Sequence, residues 1–335
     1  MPVDSPIVHR PVPLRIAASG HFLPPRVVTA AEIDARIGMS EGWTKKHTGV
    51  ETRHHVGDET AAQMGAAALR AAMVGQNELP GLLIGASGTP QQPIPCTAAL
   101  IAAEMGWNGI PCFDVNATCL SFVAALQIAA GLFTAGTYRR VAIVSSEIAS
   151  KGLNWQQHEA AALMGDGAAA VLIDGGEGHA SAMQCSLMET WPEGAAFTEI
   201  RGGGSKLPAT AHRPGENAGD FQFHMDGPAV FRLAAEKIES FVARLVGTES
   251  TRWDSIDWVI PHQASVPAIW HLRRRLRIPA GKLIETVRHQ GNVIAASMPL
   301  ALHEAIVSGR LQQGQTVLFL GTSAGFSLGA ALLRY

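Results

Sequence analysis

Pro111-Cys112-Phe113-Asp114-Val115-Asn116-Ala117-Thr118-Cys119-Leu120-Ser121-Phe122 runs from a strand-like start through a small polar turn to a single cysteine. Strong helix formers, Val123-Ala124-Ala125-Leu126-Gln127-Ile128-Ala129-Ala130, follow at once. Cys119 therefore falls at or near a helix N-terminus. Unpaired N–H groups and the positive end of the helix dipole favour a thiolate there. A thiolate is a nucleophile at neutral pH. The competing reading is a buried cysteine that merely fills space, so the remaining residues have to decide.

Outward from this stretch the chain alternates strands with helices. Upstream, the patterns give a strand over 14–19, a helix through 37 opened by the capping box Thr29-Ala30-Ala31-Glu32, an alanine-rich helix over 59–74 and a strand over 81–86. A second alanine-rich helix over 97–105 and a strand over 110–114 lead into Cys119, and 140–145 is a further strand. The segment 43–55 reads as a polar, solvated loop. Such alternation is the signature of βαβ units around a mostly parallel sheet. Residues 162–173 and 318–333 are each apolar runs broken by a small-residue turn. Both read as pairs of adjacent strands, which hints at one fold duplicated.

Composition narrows the class. A chain of 335 residues is too long for one small core, so two domains or two fused halves are expected, divided as 1–179 and 180–335. A formal net charge of -2 gives no reason to expect nucleic acid or an anionic membrane as partner. The four cysteines contain no C-x-x-C pair, so neither a zinc site nor a dithiol redox centre is expected, and they suit a reducing compartment. Residues 1–14 lack the apolar core of a signal peptide, and no apolar run is long enough to span a bilayer. The expectation is a soluble, cytoplasmic protein.

Two further polar groups resemble Cys119 in placement. Trp258-Val259-Ile260 is a strand delivering Pro261-His262-Gln263, and Gly291-Asn292-Val293 lies just before a helix over 299–308. In a doubly wound sheet such strand ends converge on one crevice. A thiolate could take an acyl group from a thioester, with backbone N–H groups at the Cys119 turn holding the oxyanion. His262 and Asn292, as donors, could then stabilise the enolate left when a malonyl thioester loses CO₂. In isolation His262 could be a satisfied structural histidine, and Asn292 a cap or turn residue.

These pieces together carry a resemblance. Thr48-Gly49-Val50-Glu51-Thr52-Arg53, Asp114-Val115-Asn116-Ala117-Thr118-Cys119, Gly165-Asp166-Gly167-Ala168, Pro261-His262-Gln263-Ala264, Gly291-Asn292 and the closing glycine-rich segment near Gly325 are similar to the β-ketoacyl-acyl-carrier-protein synthase III family of the thiolase superfamily. The resemblance implies an α/β, duplicated αβαβα five-layer thiolase-like fold, a homodimer, and the triad Cys119, His262 and Asn292. It implies no metal and no bound organic cofactor, with acyl-CoA as substrate and a malonyl thioester, on acyl-carrier protein or CoA, as acceptor. Ala324 takes the place of the second oxyanion-hole N–H beside that of Cys119. Trp43 takes that of the residue stacking on adenine, and Ile94 that of the residue a partner subunit inserts to limit the acyl chain. Ile94 and Met225 are thus expected to shape the acyl tunnel, ordinary interface packing being the alternative for Ile94.

Departures from the family pattern accompany the match. His47 and His158 stand where arginines usually hold the CoA nucleotide. Arg232 is kept on the carrier-binding surface, whereas Pro267 replaces another basic residue. Arg273, Arg274 and Arg275 suit either an acidic carrier protein or a solvated helix face. These changes leave the chemistry standing and open two settings, primary fatty-acid synthesis and a specialised secondary metabolism such as polyketide assembly.

Other readings fare less well. Gly321-Thr322-Ser323-Ala324-Gly325 spells the G-x-S-x-G of serine hydrolases, but neither an acid nor a histidine follows it. An acyltransferase passing the group from Cys119 to an alcohol or amine would make little use of Asn292. A non-catalytic partner subunit would be expected to lack a triad member, and none is missing.

Overall fold

The computed structural model describes residues 11–176, 178, 180–247 and 253–335. The reading of residues 1–10, and the boundary residue 179, lie outside them. The chain opens with β1 (Val12–Phe22), β2 (Arg26–Thr29), α1 (Ala30–Ile37), α2 (Trp43–Thr48) and β3 (Thr52–His55). Next come α3 (Ala61–Met73), β4 (Leu82–Ala86), α4 (Thr97–Met105) and β5 (Cys112–Val115). A 3₁₀ turn at Thr118–Leu120 leads into α5 (Ser121–Thr134), followed by β6 (Arg140–Ile148), α6 (His158–Ala161) and β7 (Asp166–Gly175). Then follow β8 (Ala182–Thr190), β9 (Thr198–Glu199), β10 (His224–Met225), α7 (Gly227–Val246), β11 (Trp258–Pro261) and α8 (Val266–Leu276). The chain closes with α9 (Val287–Gln290), a second 3₁₀ turn at Ile294–Ala296, α10 (Ser297–Val307), β12 (Thr316–Ser323) and β13 (Ser327–Arg334).

Local chemistry accounts for the helix ends. Thr29 and Glu32 form the expected capping box, with the Thr29 N–H donating to Glu32 Oε2 at 2.7 Å and the Glu32 N–H to Thr29 Oγ1 at 3.2 Å. Gly38, in the left-handed region at φ 71°, ends α1.

The principal strands follow the order β11-β12-β13-β8-β1-β7-β6-β4-β5. From β1 outward the pairings are antiparallel to β7, antiparallel to β6, parallel to β4 and parallel to β5. From β8 outward they repeat: antiparallel to β13, antiparallel to β12, parallel to β11, then a parallel bridge between Val259 and Leu283. The fold is therefore doubled. Residues 162–173 and 318–333 are not counterparts, however. Only 318–333 is a strand pair; the expected pair in 162–173 is one strand, β7, preceded by a turn. The partner of β7 is β6, so β6–β7 is the counterpart of β12–β13.

Five layers result. α5 and α10 lie between the sheets, and their side chains share one core with both. α3 and α4 cover the outer face of the first sheet, and α7 and α8 that of the second. This explains why α5 is uncharged throughout while α7 and α8 are amphipathic: a helix packed on both sides has no solvent face for charge. The segment 43–55 is another correction. It forms α2 and β3, and Arg53 is wholly buried. Short polar runs hide a buried arginine because hydropathy weighs its charge and ignores its long apolar stem.

Gly20 of β1 marks the tightest approach of sheet to outer helix. A Cβ there would lie 2.3 Å from the Ala68 carbonyl oxygen and 2.4 Å from the Ala72 nitrogen, both backbone atoms of α3. Gly20→Ala is expected to cost about 1–3 kcal/mol through overpacking, seen as a lower urea midpoint. An unchanged midpoint would contradict this packing.

Candidate active site

Two turns with the same hydrogen bonds form the centre of the site. At the first, Asn116 Oδ1 accepts the Thr118 N–H at 2.9 Å and Ser121 Oγ accepts the Ala117 N–H at 3.0 Å. At the second, Asn292 Oδ1 accepts the Ile294 N–H at 3.0 Å and Ser297 Oγ accepts the Val293 N–H at 3.0 Å. Thr118 and Ile294 have φ of 47° and 46°, a left-handed conformation that β-branched residues rarely adopt. Each turn then starts a central-layer helix, α5 or α10. Asn116-Ala117-Thr118-Cys119-Leu120-Ser121 and Asn292-Val293-Ile294-Ala295-Ala296-Ser297 are thus the two copies of one element, with Ala295 in the place of Cys119. The strain, of order 1–3 kcal/mol per residue, is held by the paired side-chain bonds.

Cys119 is fastened from several sides. Thr118 Oγ1 meets Ser323 Oγ, which donates to the Ala117 carbonyl at 2.6 Å. Leu120 packs so closely on β13 that only glycine fits at 329, where a Cβ would lie 2.8 Å from Leu120 Cδ1. The N–H groups of Cys119 and Ala324 both point at the sulfur. These are the two donors expected for an oxyanion hole, and Ala324 lies on the short β12–β13 connection.

The thiol itself departs from expectation. Burial is the largest influence, and with the nearby Glu147 carboxylate it pushes the pKa up to about 12, against the pull of the two N–H groups. Cys119 is therefore a thiol at neutral pH. Proximity to a helix N-terminus does not outweigh desolvation.

His262 follows β11, with its N–H donating to the Leu320 carbonyl at 2.8 Å. It touches β12 so closely that a Cβ at Gly321 would lie 2.7 Å from the His262 Cβ. The residue is 7% exposed, its Nδ1 meets no protein partner, and burial lowers its pKa to about 4. The imidazole is neutral at pH 7. Beside it, Gln263 binds the 284–287 segment: its Nε2 donates to the Pro261 and Ile284 carbonyls, and its Oε1 accepts the Thr286 N–H at 2.8 Å.

Asn292 is set by three motifs at once. Its N–H donates to the Leu163 carbonyl at 2.8 Å, and its carbonyl accepts the Gly165 N–H at 3.0 Å. Gly165 and Gly291 leave room for the Arg53 side chain, whose guanidinium donates to the Ala162 carbonyl. Asp166 braces the same region by accepting from the Val56 N–H, the Ser150 N–H and the Ser150 hydroxyl. Because the Ile294 N–H occupies Asn292 Oδ1, the amide's N–H₂ end is left to donate.

A cavity of about 330 Å³ brings His262 and Asn292 together with Met225, Phe231 and His47. Cys119 is not on its wall; it abuts the strand whose Gly321 and Thr322 are. Trp43 stacks on His47 with centroids 4.3 Å apart, and His158 meets its edge at 6.3 Å. Arg232 and Arg274 are exposed on α7 and α8. Ile94 is 84% exposed and apart from the cavity within this chain. Among the described residues no cluster of His, Cys, Asp and Glu could hold a metal, and no helix is long and apolar enough to cross a membrane.

Glu147 went unnoticed in the sequence. It is wholly buried at the end of β6 and touches both turns' surroundings. The signal available was its place in Val144-Ser145-Ser146-Glu147, a carboxylate closing an apolar strand.

Comparison with known proteins accords with this geometry. Residues 113–190 match the family model of 3-oxoacyl-[acyl-carrier-protein] synthase III, and residues 248–335 match that of its C-terminal part. The chain is 34% identical over 327 residues to a β-ketoacyl-[acyl-carrier-protein] synthase III of Methylococcus capsulatus, covering 96% of this chain and 98% of that one. The crystal structure of 3-oxoacyl-[acyl-carrier-protein] synthase III from Aquifex aeolicus superposes with a TM-score of 0.86 at 29% identity, covering 96% of this chain and 100% of that one. Xanthomonas campestris OleA, with TM-score 0.83 and 21% identity over 98% of this chain and 100% of that one, shares the fold. This chain belongs to the 3-oxoacyl-[acyl-carrier-protein] synthase III family of acyltransferases.

Proposed function

We propose that the chain takes an acyl group from acyl-CoA onto Cys119 and condenses it with a malonyl thioester, giving CO₂ and a 3-oxoacyl thioester. In the first half-reaction the Cys119 sulfur attacks the thioester carbonyl, and the oxyanion accepts from the Cys119 and Ala324 N–H groups. The C–S bond to the donor breaks, and the cysteine's proton ends on the departing thiol. His262, neutral at pH 7, is able to carry it.

In the second half-reaction the C–C bond to the malonyl carboxylate breaks and CO₂ leaves. The electron pair becomes an enolate whose oxygen accepts from the His262 ring and the Asn292 amide. The enolate carbon attacks the acyl carbonyl, and the same oxyanion hole holds the intermediate. The C–S bond to Cys119 then breaks, leaving a thiolate that takes up one proton from water to restore the thiol. A neutral imidazole suits this role, since one ring nitrogen still carries an N–H that can donate to the enolate oxygen. The amide of Asn292, with its oxygen already engaged, is the observation that carries condensation over transfer to an alcohol or amine. This chemistry calls for no metal and no resident cofactor.

The surroundings support the remaining parts of the reading. Met225 on the cavity wall would shape the acyl chamber, and Trp43, His47 and His158 would meet the CoA head. Arg232 and Arg274 would receive an acidic carrier protein. β5 is the last strand of the sheet, with Phe113 and Ile94 exposed beside it, which fits a homodimer in which Ile94 enters the partner's chamber. We place the protein in the cytoplasm, in fatty-acid or specialised polyketide-like synthesis, with the two halves 1–179 and 180–335 as its domains.

Two outcomes follow. His262→Ala and Asn292→Ala are each expected to lower ¹³CO₂ release from labelled malonyl thioester by roughly 10²–10³, the cost of losing one such donor, while an acyl group still loads. Loading should be slower in His262→Ala, because the ring also carries the thiol proton. Wild-type release in either variant would remove the enolate role. In the substrate-free enzyme, alkylation of Cys119 by iodoacetamide should be slow at pH 7 and still rising at pH 10, since the folded thiol sits near 12. A plateau below pH 8 would contradict the desolvated thiol.

A further inference from the structure

We propose that Glu147 is a positioning residue whose carboxylate fills, in the second half of the molecule, the site that the reacting oxyanion would fill in the first, and so holds Asn292 in place for the condensation step. The inference rests on the condensation reading above.

The two turns differ in what their N–H groups meet. In the first copy the Cys119 N–H faces the reacting sulfur. In the second, the N–H of Ala295, the counterpart of Cys119, donates to Glu147 Oε1 at 3.3 Å. Glu147 Oε1 also accepts the Gly88 N–H at 2.6 Å, and Oε2 accepts the Thr89 N–H at 3.0 Å and the Thr89 hydroxyl. One buried carboxylate thus receives four donors from the two segments it joins. Such charge-assisted bonds are the stronger kind, and a buried carboxylate without them would be costly.

Gly88 connects this anchor to the nucleophile. A Cβ at that position would lie 3.2 Å from the Thr118 Cα and 2.8 Å from Ile294 Cγ2, so the Gly88 backbone is wedged between the two strained turns. The first turn has its own fastening at Ser323. On the second, Glu147 binds the residue immediately after Ile294, whose N–H engages Asn292 Oδ1. Loosening Glu147 would therefore free the Asn292 amide more than it frees Cys119. Its charge acts separately, since the carboxylate raises the pKa of the Cys119 thiol. Burial in turn lifts the carboxyl of Glu147 to about 7, so it is ionised over the alkaline range in which that thiol titrates.

Glu147→Gln keeps the size, removes the charge and turns one acceptor oxygen into an N–H₂ group, so part of the anchor is lost, and separate readouts follow the two effects. We expect decarboxylative condensation to fall at least about tenfold, in keeping with loss of catalytic alignment. Acyl loading should stay within about threefold, because the first turn keeps its own anchors. Cys119 alkylation should shift to lower pH, because a negative neighbour is gone. A merely structural role would depress loading and condensation together, and that result would overturn the proposal; the alkylation shift reports the lost charge alone and accompanies either outcome. Unchanged condensation would overturn it equally. Should Glu147→Gln melt below the assay temperature, Thr89→Val carries the test: it deletes one donor, and the same selective loss of condensation is expected, with equal loss of both steps or none counting against. A wild-type enzyme that releases no CO₂ would instead refute the condensation reading, and the alkylation profile still reports on Glu147 in that case.

Discussion

An asparagine oxygen accepting the N–H two residues on, with a serine hydroxyl accepting the N–H four residues earlier, stabilises a backbone turn that Thr118 and Ile294 would not otherwise adopt. The two copies lie in the same middle layer, each heading a helix packed between sheets. Duplication of the fold thus yields two related turns with different uses. The first carries the cysteine and an N–H group, its own, that we propose as part of an oxyanion hole. The second carries an amide whose orientation its own turn enforces. Asymmetry at one position, Cys119 against Ala295, divides the labour.

Burial governs the electrostatics of the pair. The same desolvation that raises the Cys119 thiol to about 12 lowers His262 to about 4. Both groups are therefore neutral at pH 7, and no ready-made thiolate–imidazolium pair awaits the donor. Proton movement would then be coupled to substrate entry. Two N–H groups already aimed at the sulfur favour negative charge on it, so the site is arranged for charge that develops during reaction.

The amino-acid sequence made the three candidate residues legible, because each lies between a strand or turn and a helix, within motifs that resemble one family. Strand–helix alternation likewise announced a layered α/β architecture. The mostly parallel sheet it also suggested is corrected by the structure: among the described residues, five of the eight neighbouring strand pairs are antiparallel. Other features were hidden for physical reasons. The repeat of the turn shares only Asn and Ser at fixed spacing, since the rest of each copy is tuned to different neighbours. Arg53 and Glu147 are charged, and charge reads as surface until their partners, carbonyls and N–H groups of distant segments, are brought beside them. The thiol's pKa was misread for the same reason: a helix start is local, whereas desolvation depends on everything packed around it.

If Cys119 carries the acyl group, intact mass with peptide mapping, after mixing the protein with a panel of acyl-CoA donors, should show one acyl increment. That increment should map to Cys119, be absent from Cys119→Ala and disappear as malonyl thioester is added. An adduct on another residue, or none with any donor, would mean that the acyl group is not carried there.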